Sequence, residues 1–349
     1  MTTQQDRFLG AMFGLAYGDA IGFPALFHRF RAMPARRHDF LWRTNGETYR
    51  QHITRLMLPF THRIPAETLA PSPTDDTEFA VLTLRALLDD PDGPTPRTFL
   101  RTWQDDVLPA ADEVNTSFSE RAAIENLRRG LTPPATGNDN PLHYEDSAVP
   151  RAVPVGLYCA GDPDCAAAVA GWDAEITQAE DGIYAARAMA AAVAVLAGGG
   201  ALPGATARAR QEFPAGSWIA HVDGIAQRCA MDAESPEDLI FYLSTQIINT
   251  VYSYGSAAPE TLPAALAIVE KCDGDLRTAC LYANTIAKSA DSVPAMVGAL
   301  CGCYQGVAAI GVRWRETLGT CRGLCLPFLA GADIGALTLE LYQHRGDQP

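Results

Sequence analysis

The sequence predicts an all-α protein folded as one compact helical bundle. Apolar residues recur at helical spacing in segment after segment, and the breaks between them are short runs rich in Gly, Pro and Asp. Alternating apolar and polar runs of the strand type are scarce. The chain has 349 residues and is 48% hydrophobic, enough for a sizeable core, and it reads as a single domain over 1–349.

Taken in order, the first helix spans 8–23 and carries glycines at 10, 14, 18 and 22. A four-residue spacing lines them along one helix face, where a second helix can approach closely. Each glycine costs a helix about 1 kcal/mol, so tight packing has to offset it. Asp19 lies in the same segment and is either a paired core acid or a group that orients metal ligands. Next comes a different material. Residues 28–63 hold eight arginines against Asp39 and Glu47, with no helical or strand period and several prolines. This is an arginine-rich loop insert at about 28–72, either a solvated surface loop or a lid that attracts an anionic substrate.

Further helices are predicted over 79–88, 99–108, 119–129, 152–159, 166–171, 182–196, 236–250, 261–271, 276–287 and 293–310. Gly198-Gly199-Gly200 is a hard stop within this succession.

Composition excludes several classes. A net charge of −14 and a pI near 4.9 argue against a nucleic-acid partner, which needs a basic surface. No run of eighteen apolar residues occurs, so no membrane partner is expected, and the polar start carries no signal peptide, which predicts a cytoplasmic location. Nine cysteines without a CxxC pair read as reduced thiols, and no histidine pair near them suggests zinc.

The stretch with the most chemistry is Ser72-Pro73-Thr74-Asp75-Asp76-Thr77-Glu78, at the mouth of the 79–88 helix. It offers several hard oxygen donors within one turn, which suits Mg²⁺ or Mn²⁺. The plainer reading is a capping box from Asp75 to Glu78. A second cluster, Ser289-Ala290-Asp291-Ser292, again leads acid and hydroxyl groups into a small-residue helix. Two half-sites on separate helix starts would close around one ion. Asp146 and Ser147 can hydrogen-bond vicinal sugar hydroxyls or cap the helix that follows. Tyr254 beside Gly255 can stack on a flat base or pack in the core.

Four motifs together carry a resemblance. They are the run from Gly10 to Gly22 ending in Gly18-Asp19-Ala20-Ile21-Gly22, the tetrapeptide Thr74-Asp75-Asp76-Thr77, and Asp146-Ser147-Ala148 followed by the Asp291-Ser292 helix start. In this order the chain resembles the ADP-ribosylglycohydrolase family, which includes the dinitrogenase reductase-activating glycohydrolase, over roughly residues 8–306. The resemblance implies an orthogonal all-α bundle with a two-metal centre in a cleft, hydrolysing the bond to the anomeric carbon of a ribose. It implies Thr74, Asp75, Asp76, Asp291 and Ser292 as metal ligands. Asp75 or Asp76 would orient or deprotonate the attacking water, and Glu47 or Glu67 would serve as leaving-group acid. Asp146, Ser147, Tyr254, Gly255 and Gln178 would form the substrate pocket.

Two positions depart from the family pattern. Ser289 stands where the family has an acid, and Gln178 stands where it commonly has a histidine. With one carboxylate fewer, the second Mg²⁺ or Mn²⁺ site is weakened, and the Lys288 ammonium is positioned in sequence to fill part of the vacated positive charge. The expected partner is an ADP-ribosylated protein or a small ribosyl nucleoside or nucleotide. The alternative is a catalytically altered relative, either a nucleotide-binding or structural module or an enzyme repurposed for a small nucleoside.

Overall fold

The structure, a computed structural model, describes residues 3–25, 71–90, 92–248, 256–286 and 291–346. Glu47, Glu67, Tyr254, Gly255, Lys288 and Ser289 lie outside the described residues, as does the 28–72 insert apart from its last two positions. Sixteen α-helices account for the described fold, and no strand occurs among those residues. In chain order they are α1 (Gln4–Ala25), α2 (Asp75–Leu88), α3 (Pro96–Thr102), α4 (Phe118–Arg128), α5 (Ala135–Asn138), α6 (Ala148–Tyr158), α7 (Pro163–Ala174) and α8 (Asp181–Ala197). Then follow α9 (Leu202–Arg210), α10 (Trp218–Asp232), α11 (Pro236–Gln246), α12 (Ala258–Lys271), α13 (Leu276–Ala283), α14 (Ser292–Gln305), α15 (Val312–Leu318) and α16 (Ile334–Gly346).

The glycine face of α1 lies antiparallel on α14, the largest helix–helix contact of the molecule. Gly10 meets Gly302, Gly14 meets Gly298 and Gly18 meets Pro294. A Cβ on Gly14 would sit 2.0 Å from the Gly298 carbonyl oxygen, and one on Gly18 would sit 1.9 Å from that of Pro294. Only glycine permits backbones this close. The register also has a consequence for the site: the residue after Gly18 is Asp19, and the residues just before Pro294 are Asp291 and Ser292. Packing the two helices by their glycines brings the end of one acid motif to the start of the other.

The centre of the bundle is α8, whose alanines are buried almost without exception. It packs against α6, α7, α9, α12 and α14. Small side chains let these neighbours come close; a Cβ on Gly156 of α6 would stand 2.6 Å from the Ala190 carbonyl oxygen.

Several expectations need correction. The helix expected at 152–159 begins at Ala148, because Pro150 falls in its first turn, where a missing N–H breaks no helical bond. The helix expected at 293–310 stops at Gln305, since Gly306 turns to φ +84°. The 99–108 segment is α3 followed by a π-helical turn, Trp103–Val107. Helices α5, α9, α10, α15 and α16 have no counterpart among the helices expected from the sequence. The cysteines are not all reduced: Cys159 and Cys165 are joined in a disulfide where the end of α6 turns into α7. The other seven are free.

The capping box at the start of α2 is also overturned. The N-cap is Thr74, which makes no side-chain cap bond. Glu78 reaches away from its own helix instead. Its Oε1 accepts from the backbone N–H groups of Gly323 (2.7 Å) and Leu324 (3.0 Å), and its Oε2 from those of Cys325 and Leu326 (both 2.8 Å). Four consecutive N–H groups are thus satisfied by one carboxylate, which ties the 323–326 loop to the first turn of α2.

Candidate active site

Helix starts build the site. A cleft of about 340 Å³, counted out to open solvent, is lined by Asp75, Asp76, Ser117, Glu120, Asp146, Ser147, Ser256, Asp291 and Ser292. Seven of these nine sit at the N-cap or in the first turn of α2, α4, α6 or α14. Helix N-termini carry partial positive charge and unpaired N–H groups, which offset part of the cost of crowding acids together.

Asp19 anchors the arrangement from behind. It is fully buried, and its carboxylate accepts from the Thr74 N–H (2.8 Å), the Thr77 N–H (3.2 Å) and the hydroxyls of both threonines. These bonds fix the turn that presents Asp75 and Asp76. They also commit the Thr74 hydroxyl hydrogen to Asp19, leaving the oxygen lone pairs as its only free capacity for a cation. Oxygens of Asp19, Asp76 and Asp291 lie within 4.8 Å of one another. Asp76 Oδ2 is buried and has no hydrogen-bond partner.

Such crowding penalises negative charge. Burial, then Asp75, pushes Asp19 up to about 7 despite the threonine hydrogen bonds. Burial, then Asp291 and Glu120, pushes Asp75 up to about 8. Asp76 lies well above the usual carboxylate range for the same reasons, burial first and then its neighbours Asp75, Asp291 and Asp19. A divalent cation among these oxygens would remove the repulsion and fill the orphaned valence of Asp76, so the donor set fits an oxygen-preferring ion.

The adjoining wall comes from the loop before α6. Glu145 forms an antiparallel bridge with Ala257, and the Asp146 N–H donates to the Ser256 carbonyl at 2.8 Å. Asp146 is buried, its Oδ2 has no partner, and burial lifts it well above the carboxylate range against a hydrogen bond from Thr261. Ser147, beside it, also faces the cleft. Gln178 does not reach the cleft wall directly. It is fully buried one layer behind, where its Nε2 donates to Ser147 Oγ (2.7 Å) and Ser119 Oγ (3.2 Å). Its influence on a ligand therefore passes through the Ser147 hydroxyl.

Ser117, Glu120 and Ser256 line the cleft without having been singled out in the sequence. The first two had a signal: Ser117-x-x-Glu120 has capping-box spacing, and the box is formed, with α4 starting at Phe118 rather than at 119. Ser256 had none.

The fold and site define a class: an all-helical protein whose helix starts converge on a buried oxygen cluster suited to a divalent cation. Within that class the chain belongs to the ADP-ribosylglycohydrolase family, whose description matches residues 1–349. Membership supports a glycohydrolase-type function. The uncharacterized protein YegU of Escherichia coli (strain K12) is 26% identical, over 90% of this chain and 92% of its own. A solved structure described as an ADP-ribosylglycohydrolase-related protein complex is 23% identical, with a TM-score of 0.63, and the match covers 98% of this chain and 99% of that one. That likeness is one of fold. Among the described residues no helix is long and apolar enough to cross a membrane.

Proposed function

We propose that the protein is a Mg²⁺- or Mn²⁺-dependent hydrolase that cleaves the bond to the anomeric carbon of an ADP-ribosyl group or a related ribosyl nucleoside or nucleotide. The observation that carries this reading is the meeting of Asp19, Asp76 and Asp291 within 4.8 Å, at a cleft whose adjoining wall offers Asp146 and Ser147. Asp75, Asp76, Asp291 and Ser292 would hold the cation, with Thr74 and Asp19 fixing the turn. When bound, a divalent cation supplies a more acidic water and charge stabilisation near the sugar.

The chain's own residues do the rest. Asp75 or Asp76, both lining the cleft, takes the proton of the attacking water. Asp146 Oδ2 and the Ser147 hydroxyl orient the ribose hydroxyls, and Gln178 holds the Ser147 rotamer. A single tight cation site is the arrangement we favour, with Ser289 in place of an acid weakening a second.

The test is release of ADP-ribose or ribose from a panel of ribosylated arginine, serine and nucleosides, with Mg²⁺, Mn²⁺ or EDTA. Metal-dependent release that falls at least about a hundredfold in Asp76→Asn and Asp291→Asn is expected. Tight binding of ADP-ribose without turnover of any substrate would replace the hydrolase reading with a nucleotide-binding module.

A further inference from the structure

Beside the cation cluster stands a second set of carboxylates, held by one hydroxyl. Ser117 Oγ lies 2.7 Å from Glu120 Oε2 and 2.8 Å from Glu145 Oε2. A serine hydroxyl has one hydrogen and can donate to one of them. If both carboxylates were ionised, the remaining contact would set two oxygens lone pair to lone pair at hydrogen-bond distance. Burial makes that unfavourable, since Glu120 is 2% and Glu145 1% exposed. One of the two acids therefore brings its own proton.

The surroundings say which. Glu120 Oε2 also accepts from the Thr116 hydroxyl and the Ser117 N–H (3.1 Å), and Arg151 Nη1 stands 3.9 Å from Glu120 Oε1. Arg151 is fully buried, and its Nη1 has no hydrogen-bond partner. Its other contacts are Asp173 Oδ2 at 2.9 Å and the Thr177 hydroxyl at 3.1 Å. Glu145 accepts from the Ser119 N–H at 2.7 Å, and the charges around it are negative: Glu120 across the serine and Asp146 next in the chain. The charges acting on Glu120 are Arg151, Glu145 and Asp75. The Arg151 guanidinium stands on the Glu120 side of the serine and no cation stands on the other among the described residues, which places the shared proton on Glu145. Burial, reinforced by Glu120 and opposed by the serine hydrogen bonds, lifts Glu145 to about 7.

Glu120 and Ser117 line the cleft, whereas Glu145 lies behind them. We propose that Glu145 and Ser117 form a proton path into the cleft and that Glu120, at its end, is the leaving-group acid. This rests on the glycohydrolase reading above. The Glu145 proton moves to Ser117 Oγ as the Ser117 hydrogen moves to Glu120, and Glu120 passes it to the departing atom. That atom keeps the electron pair of the broken bond to the anomeric carbon. The attacking water gives its hydroxyl to that carbon and its proton to Asp75 or Asp76, which releases it to solvent, and the pair takes up a proton from solvent once the products leave.

The test uses the full-length protein with saturating Mg²⁺ and carboxyl-¹³C-labelled glutamate, the Glu145 resonance being assigned by its loss in Glu145→Gln. Glu145 is expected to be neutral at pH 6 and to ionise as the pH rises toward 8. In Glu120→Gln its midpoint is expected to fall by about half a pH unit or more, as a neighbouring charge is lost. A Glu145 ionised throughout, or a midpoint indifferent to Glu120→Gln, overturns the shared proton. In turnover, Glu120→Gln should lower kcat by about 10²–10⁴ for a substrate with a poor leaving group and spare a 4-nitrophenyl riboside, whose leaving group needs no proton. Glu145→Gln should shift the alkaline-limb midpoint of the kcat profile, where wild-type Glu145 loses its proton, an effect that loss of packing alone would not produce. Equal losses on both substrates overturn the acid role. A wild-type protein that cleaves neither overturns the hydrolase reading and that role with it, while the titration still decides the shared proton.

Discussion

Replacing Gly14 by alanine tests whether the α1–α14 contact sets the cation site. The new Cβ would lie 2.0 Å from the Gly298 carbonyl oxygen, and ordinary contact begins near 3.4 Å, so the helices must part by about 1.4 Å. The obstructing atom is backbone, with no flexible side chain to yield. Overpacking of this kind costs about 3 kcal/mol, and the better helix propensity of alanine returns about 1 kcal/mol, leaving a net loss of about 2 kcal/mol. Gly204→Ala is the control: Gly204 lies within α9 with nothing within 4 Å, so the same substitution should stabilise by about 0.5–1 kcal/mol. Asp19 rides on α1 and Asp291 on α14, so the same displacement pulls two of the three clustered carboxylates apart. Mn²⁺ affinity should therefore fall at least about tenfold, or 1.4 kcal/mol, in Gly14→Ala and stay unchanged in Gly204→Ala. Urea denaturation gives the first quantity and isothermal titration the second. If Gly14→Ala folds with wild-type stability and binds Mn²⁺ as tightly, close helix approach is not what assembles the site.

Two further outcomes follow from the buried acids. Asp19 near 7 and Asp75 near 8 stand above their unfolded values, so the folded state binds more protons than the unfolded chain. In EDTA, stability should be fully present below about pH 4 as far as these groups decide it, and should decline as pH rises to 8. With Mn²⁺ the decline should vanish; parallel melting-temperature profiles with and without metal would refute the electrostatic account. In Glu78→Gln an amide NH₂ replaces one of the two acceptor oxygens and faces two backbone N–H groups of the 323–326 loop. A loss of about 2–5 kcal/mol in chemical denaturation is expected, and a loss under 1 kcal/mol would mean the loop finds other partners.

The fold was legible where chemistry repeats locally. Glycines at 10, 14 and 18 announce a close helix contact without naming the partner, and Thr74-Asp75-Asp76 announces a cluster of oxygen donors at a helix start. What stayed hidden depends on distant partners. Nothing near Glu78 says that its acceptors serve a loop some 245 residues later, and the capping-box spacing to Asp75 pointed the other way. Helix α9, Leu202–Arg210, carries a glycine and mixed arginines with no strong apolar stripe, and α15 is a short, largely polar turn-and-a-half. The first buries Leu202, Ala205 and Ala209 against its neighbours, and the second only Leu318. Glu145 carries no local signal, because its partner Ser117 lies 28 residues earlier.

Placing four helix starts around one cleft explains how so acidic a centre survives without a basic wall. Among the described residues no arginine or lysine lines the cleft; Arg151 lies buried behind the lining, bonded to Asp173 and 3.9 Å from Glu120. Backbone dipoles therefore provide the standing positive potential, and they are partial charges that no proton transfer removes. They do not neutralise Asp75, Asp76 and Asp291 together, as the upward shifts of the first two record. The deficit is what a divalent cation would supply. Ion binding and the stability of this end of the bundle should consequently rise and fall together, and more steeply at alkaline pH, where every carboxylate asks for the charge.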